Sequence, residues 1–307
     1  MIKISILCLK VILIFIAFSK NSYATSQEIA NKNDSIKVVK LDSITSFRNQ
    51  LPSPFAMITN LPNDWFEFGK YLVTNKGIIS IFEHSIYAWI LVDTDYESWQ
   101  LFKKPYEKYP AFKFACDVGE GIGDGKTQFG IAAALAVYGF AFNDSIAKRC
   151  ASQITEVIFS CGTIIQILKH TTGRESPFVA TTPTGRWRLF PNQKDYFYNV
   201  PNYDAFPSGH VATATATYFV IQNNYPDQKW LPYVGYPIIS LVAIGLVGTS
   251  IHWWSDIPLG VAIGYYFANL LSPKTEVEKL TTSNYKINYG FNFLSDGSLS
   301  FGLNVKF

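Results

Sequence analysis

Residues 199–219 read NVPNYDAFPSGHVATATATYF, and a break inside this stretch organises the chain around it. Polar and aromatic residues run up to Phe206; after Pro207-Ser208-Gly209-His210 the sequence turns to small and apolar residues. Serine at the N-cap can hold the first free amides of a helix, proline before it fixes the entry, and glycine in the first turn lets a ligand approach the backbone. The free N–H groups and positive dipole end of such a helix start make it a ready anion site. Taken alone, the four residues fit either that site or an ordinary capped helix with a surface histidine.

Four histidines occur in the chain: His84, His170, His210 and His252. His252 belongs to TSIHWWSDIPLG (249–260), where Asp256 follows four residues later. On a helix or its first turn the two share a face. A carboxylate there can accept the proton of one ring nitrogen, fix the tautomer and leave the other nitrogen free as nucleophile or base. Trp253 and Trp254 beside the histidine fit either a lipid entry or simple packing. In LKHTTGRESPF (168–178), Lys169 and Arg174 flank a glycine turn. They suit a helix C-terminus, and equally the oxygens of a phosphate. His84, within an apolar run, is expected to be structural.

Together these residues resemble the type 2 phosphatidic acid phosphatase (PAP2) family, whose fold is shared with bacterial non-specific acid phosphatases and vanadium haloperoxidases. The resemblance covers roughly residues 120–272. Lys169 and Pro177 stand in the family's first motif, Pro207 to His210 match the second in full, and His252 with Asp256 match the third. Two family arginines are replaced, by Ser176 and by Leu246. Arg174 is the expected compensating cation, and Arg186 and Arg188 are the nearest others.

The resemblance implies an all-α, PAP2-type helical bundle and a metal-independent phosphatase without a cofactor. It would hydrolyse a lipid-linked or other apolar phosphomonoester or diphosphate. By the same resemblance His252 attacks phosphorus and Asp256 orients it. His210 donates a proton to the leaving oxygen, and Lys169, Arg174, Ser208 and Gly209 hold the phosphate oxygens. Inorganic phosphate or vanadate would occupy the same pocket. The rival readings are phosphoryl or headgroup transfer to an alcohol and a non-catalytic envelope protein that binds an anionic lipid.

The rest of the chain sets the frame. Residues 1–24 read as an export signal, with lysines at 3 and 10, an apolar run from Val11 to Phe18, and Ser22 and Ala24 at cleavage-site spacing. Residues 25–57 form a polar arm and 58–274 the helical domain. Helices are expected over 75–95, 123–144, 151 to about 170, 208–223 and, in two pieces, 231–274, with a long loop over 178–207. Residues 284–307 alternate around Ser295-Asp296-Gly297 and predict a short C-terminal β-hairpin.

A net charge of +3 from 26 basic and 23 acidic residues gives no case for nucleic acid. Cys116, Cys150 and Cys161 imply no disulfide framework. The aromatic content of 16% suits an apolar or interfacial substrate. The expected location is exported, periplasmic or cell-envelope, at a membrane surface. Short helices at 208–223 and 257–272 favour a peripheral protein over an integral one.

Overall fold

The computed structural model describes residues 55–272, together with the backbone of 286–293 and 299–306. The export signal and nearly all of the polar arm lie outside the described residues. Eleven α-helices are described: α1 (Ala56–Thr59), α2 (Leu61–Leu72), α3 (Asn75–Val92), α4 (Asp95–Lys108), α5 (Pro110–Gly123), α6 (Gly125–Ala141), α7 (Ser145–Thr172), α8 (Gln193–Tyr198), α9 (Gly209–Asn224), α10 (Leu231–Gly248) and α11 (Ile257–Leu271). The described body is all-α, as expected. Strands β1 (Lys286–Phe293) and β2 (Leu299–Lys306) are described as backbone only, paired antiparallel. How they sit against the helices lies outside the described side chains.

Helix α9 forms the centre. Its Ala-Thr alternation resembles a strand period, yet Val211, Ala212, Ala214, Ala216 and Phe219 are all buried, so the helix is enclosed by neighbours on every side. Small residues permit this. A methyl on Gly264 of α11 would lie 2.2 Å from the Ala212 carbonyl oxygen, and one on Gly260 would lie 2.5 Å from that of Ser208. The α11 backbone thus rests directly on α9. Helix α7 flanks α9 from the other side through Cys150, Ile154, Val157, Cys161 and Ile165. All three described cysteines are free and buried.

Capping sets where these helices stop. Asp144 accepts from the amides of Ile146 and Ala147 to start α7, six residues before the expected boundary at 151. At the other end Gly173 takes a left-handed conformation (φ 54°, ψ 47°) and returns its N–H to the Lys169 carbonyl. The polar connection from Gly173 to Ser208 is an ordered cover over one end of the bundle, held by backbone bonds such as Arg188 N–H to Gly173 O (3.0 Å) and Ala205 N–H to Arg174 O (3.0 Å).

Helices α2, α4 and α5 lie in stretches for which no individual helix is expected from the sequence. Helix α4 is largely polar and has Pro105 inside it; only a narrow aromatic stripe packs inward. Trp99 meets Trp253 at 5.8 Å between ring centroids, and Phe102 stacks on Trp254 at 5.4 Å. The tryptophan pair beside His252 is therefore packed against α4. Helices α7 and α10 are long and apolar enough to cross a membrane by length and composition.

Candidate active site

Helix ends converge at one end of the bundle. Lys169 lies in the last turn of α7, Gly209 and His210 in the first turn of α9, His252 just beyond α10, and Asp256 just before α11. Asp95 opens α4 at the same end. The three sequence motifs, spread along the chain from Lys169 to Asp256, thus meet because four helices start or stop there.

Ser208 caps α9 as expected, its hydroxyl accepting from the Val211 amide at 3.4 Å. Its own amide donates to the Asp256 carbonyl at 3.0 Å, tying the start of α9 to the start of α11. Gly209 faces the lysine: a methyl there would stand 3.9 Å from Lys169 Nζ, in ordinary contact and without a clash. The space above Gly209 is accordingly bounded by a cation, a helix N-terminus and the His210 ring, the combination an anion needs.

His252 is buried and its orientation is fixed. Nδ1 lies 2.7 Å from the Ala205 carbonyl oxygen and 3.5 Å from Asp256 Oδ2. A carbonyl can only accept, so Nδ1 donates to it, and in the neutral ring the lone pair is on Nε2. The expected carboxylate is present, but a backbone carbonyl makes the shorter contact. Asp256 Oδ2 instead takes the Trp253 amide at 2.7 Å, which shapes the turn carrying the histidine. This turn is a 3₁₀ segment, Trp254–Asp256, rather than the body of a helix. The His210 and His252 rings face each other edge to face, 5.6 Å apart. Burial, reinforced by the neighbouring His252 and Lys169, depresses His210 to about 4, so the ring is neutral near pH 7 when no anion is bound.

Arg174 departs from its expected task. Its side chain is 0% exposed, and every N–H is already used. Nε and Nη2 donate to the Thr184 carbonyl (3.3 and 2.7 Å), Nη2 also to Asp95 Oδ2 (2.6 Å), and Nη1 to Ser255 Oγ (2.7 Å) and to Asp256 Oδ1. Trp187 and Trp253 cover the guanidinium faces at 4.6 and 5.4 Å. No donor remains for a phosphate oxygen. Arg174 is a positioning residue that holds Asp256, and so the His252 turn, against Asp95. Asp95 is raised to about 6, by burial first and by the like charge of Asp256, against the lowering effect of Arg174.

The other expected cations do not replace it. Arg188 is paired with Glu175 (2.6 Å) and donates to the Asn202 carbonyl, and Arg186 is exposed. Ser176 is buried, and Leu246 is enclosed among Val211, Ala214, Val242 and Ala243. Lys169 alone faces the pocket among the expected cations, and it is itself paired with Asp204 Oδ2 at 2.8 Å. Tyr196 donates to Asp204 Oδ1 at 2.6 Å, and His170 stacks on Tyr196 at 3.9 Å between ring centroids. His84 lies away from these residues along α3, its Nδ1 2.6 Å from the Ser80 carbonyl one turn earlier. Asp95, Asp204 and Tyr196 escape a reading of the sequence because each sits in an ordinary polar stretch with no spacing to mark it.

Comparison with known proteins agrees with the motif reading. The model of the PAP2 superfamily matches residues 151–277. A lipid A 1-phosphatase from Porphyromonas gingivalis is 28% identical over 131 residues, covering 34% of this chain. The chain spans 29% of the length of that curated relative. Among solved structures, LpxE from Aquifex aeolicus aligns with a TM-score of 0.42 at 15% identity, covering 57% of this chain and 92% of that one. A transmembrane PAP2-type phosphatidylglycerolphosphate phosphatase from Bacillus subtilis aligns with a TM-score of 0.45 at 15% identity, covering 74% and 98%. Residues 151–277 of this chain match the PAP2 superfamily model, and within them the second motif is intact and the histidines of the second and third motifs stand edge to face.

Proposed function

We propose that the protein is a lipid phosphatase that works through a phosphohistidine on His252. The observation that carries this reading is the 2.7 Å contact from His252 Nδ1 to the Ala205 carbonyl, which engages Nδ1 as a donor and makes Nε2 the nucleophilic nitrogen of the neutral ring, beside the His210 ring. In the first step the Nε2 lone pair forms a bond to phosphorus as the phosphorus–ester oxygen bond breaks; the departing oxygen takes a proton from His210. In the second step His210 takes a proton from water, the water oxygen bonds to phosphorus, and the phosphorus–nitrogen bond breaks to release phosphate. His210 must therefore be protonated at the outset. The negative charge of an arriving phosphate supplies that, by raising a ring that is neutral in the empty pocket. Lys169, the first amides of α9 and the Ser208 hydroxyl are the groups assigned to the phosphate oxygens.

A lipid-linked substrate is supported by the outward faces of the helices. Ile78, Ile79, Phe82, Ile86, Trp89 and Ile90 of α3, Phe114 of α5, Val137 and Phe140 of α6, and Tyr233 and Val234 of α10 are exposed. Apolar exposure on this scale marks a membrane-facing surface. With α7 and α10 as the candidate spans, this favours an embedded protein over the peripheral one read from the two short helices. Retention in the pellet after alkaline carbonate washing is expected; release by that wash contradicts it. The exported location and the C-terminal hairpin remain part of the proposal.

The non-catalytic reading has one observation in its favour, the loss of both family arginines to buried Ser176 and Leu246. Turnover separates the two. The purified protein is expected to release inorganic phosphate from an aryl phosphate or lipid phosphate in EDTA, and His252→Ala to abolish release with folding preserved. Equal release by the His252→Ala protein, or none by wild type on any phosphate ester, rejects the phosphatase.

A further inference from the structure

The charges at this end of the bundle do not favour an ordinary phosphate dianion. Its charged groups include Lys169 and Arg174 against Asp95, Asp204 and Asp256, with Arg188 taken up by Glu175, and Asp124 also acts on His210. Arg174 is consumed by two carboxylates, so what an incoming phosphate meets is Lys169 with Asp204 already against it. The Asp204 side chain is 28% exposed whereas that of Lys169 is 5% exposed. The carboxylate is therefore the outer member of the pair, on the side from which a ligand can reach it.

Lys169 can donate three hydrogen bonds, and Asp204 takes one. A phosphate accepting another from the same Nζ would bring its oxygens within several ångströms of the Asp204 carboxylate, where like charges oppose each other. Asp204 cannot easily turn away, because its second oxygen is held by the Tyr196 hydroxyl, and Tyr196 is buried beneath His170. The conflict is relieved if the ligand brings its own positive group to Asp204.

Building on the phosphatase reading, we propose that Asp204 is a specificity-determining residue that selects phosphates bearing an ammonium group a few bonds from phosphorus. The phosphate takes Lys169 and the amides at Gly209, and the ammonium takes Asp204. Tyr196 is the positioning residue that keeps the carboxylate at the lysine.

The test compares O-phosphoethanolamine with propyl phosphate, which has the same length and no cation, as ligands of the full-length protein in detergent. Binding is read by calorimetry and by inhibition of aryl phosphate release. Wild type is expected to bind O-phosphoethanolamine at least about tenfold more tightly. Asp204→Asn is expected to bring the ratio close to one, chiefly by gaining affinity for propyl phosphate and inorganic phosphate. The wild-type ratio needs no variant, so it stands even if Asp204→Asn fails to fold. A wild-type ratio near one, or a ratio unchanged in Asp204→Asn, overturns the proposal. So does a propyl phosphate affinity that depends on added Mg²⁺ and is lost in EDTA, which would make a metal the compensating cation. Aryl phosphate turnover with no preference sinks this inference and leaves the phosphatase standing; no turnover and no phosphate binding by either protein sink both.

Discussion

Replacing Arg174 by lysine separates a residue that touches phosphate from one that builds the site. The guanidinium makes five hydrogen bonds, to Thr184 O twice and to Ser255, Asp95 and Asp256. Lysine offers three donors, so at least two of these are lost, and the planar fork that spans two carboxylates goes with them. A hydrogen bond to a charged group contributes about 1.5–3 kcal/mol. Two of them give roughly 3–6 kcal/mol; some repacking of a flexible ammonium between Asp95 and Asp256 places the expected loss near 3 kcal/mol. For a domain of this size that is a fall in Tm of about 6–12 °C. Tryptophan fluorescence during heating reads it, because Trp187 and Trp253 lie over the guanidinium. Turnover should drop through kcat, as the His252 turn loosens, while affinity for inorganic phosphate stays within about twofold. An unchanged Tm with a tenfold weaker phosphate affinity would refute the reasoning, since it would make Arg174 a phosphate ligand, as its place near the first motif suggests.

Gly209→Ala and Gly264→Ala should part company. A methyl at 209 meets nothing nearer than Ile165 Cγ2 at 3.4 Å, so Tm should hold while phosphate affinity falls, the methyl standing where the anion approaches. A methyl at 264 lands 2.2 Å from the Ala212 carbonyl and should lower Tm by forcing α11 off α9; similar Tm values for the two variants contradict this packing. His210→Gln tests the depressed histidine. The folded ring stays neutral down to about 4 while the unfolded one takes a proton near 6.5, so this residue costs stability progressively as pH falls through that window. At about pH 5 the cost is roughly 2 kcal/mol. Wild type should therefore lose roughly 4–8 °C more than His210→Gln between pH 7 and 5; parallel losses reject the shift.

What the sequence disclosed follows from how local each feature is. Ser208 and Gly209 announce an anion-ready helix start by residue type alone, because capping and close approach depend on one turn of backbone. The His252–Asp256 spacing likewise finds two members of the site, though not the Ala205 carbonyl that makes the shorter contact with Nδ1. The partner of a buried charge is not local. Arg174 reads as a spare cation until α4 brings Asp95 beside it, 79 residues away in sequence, and Lys169 reads as free until Asp204 meets it. Helix α4 itself was hidden because a polar segment with an internal proline buries only Trp99 and its neighbours, a stripe too narrow for periodicity to reveal. Ser176 and Leu246 were visible as departures from the family pattern, but their burial, which closes the route to a simple replacement cation, depends on the assembled bundle.

The central claim is that His252 Nε2 becomes the phosphoryl carrier. Wild-type protein quenched during turnover of a radiolabelled phosphate ester and digested under alkaline conditions should yield one labelled peptide, phosphorylated on Nε2 of His252, with label absent from His252→Ala and reduced in Asp256→Asn. Steady turnover without label on His252, or label on His210, on Ser208 or on Nδ1 of His252, would contradict the account.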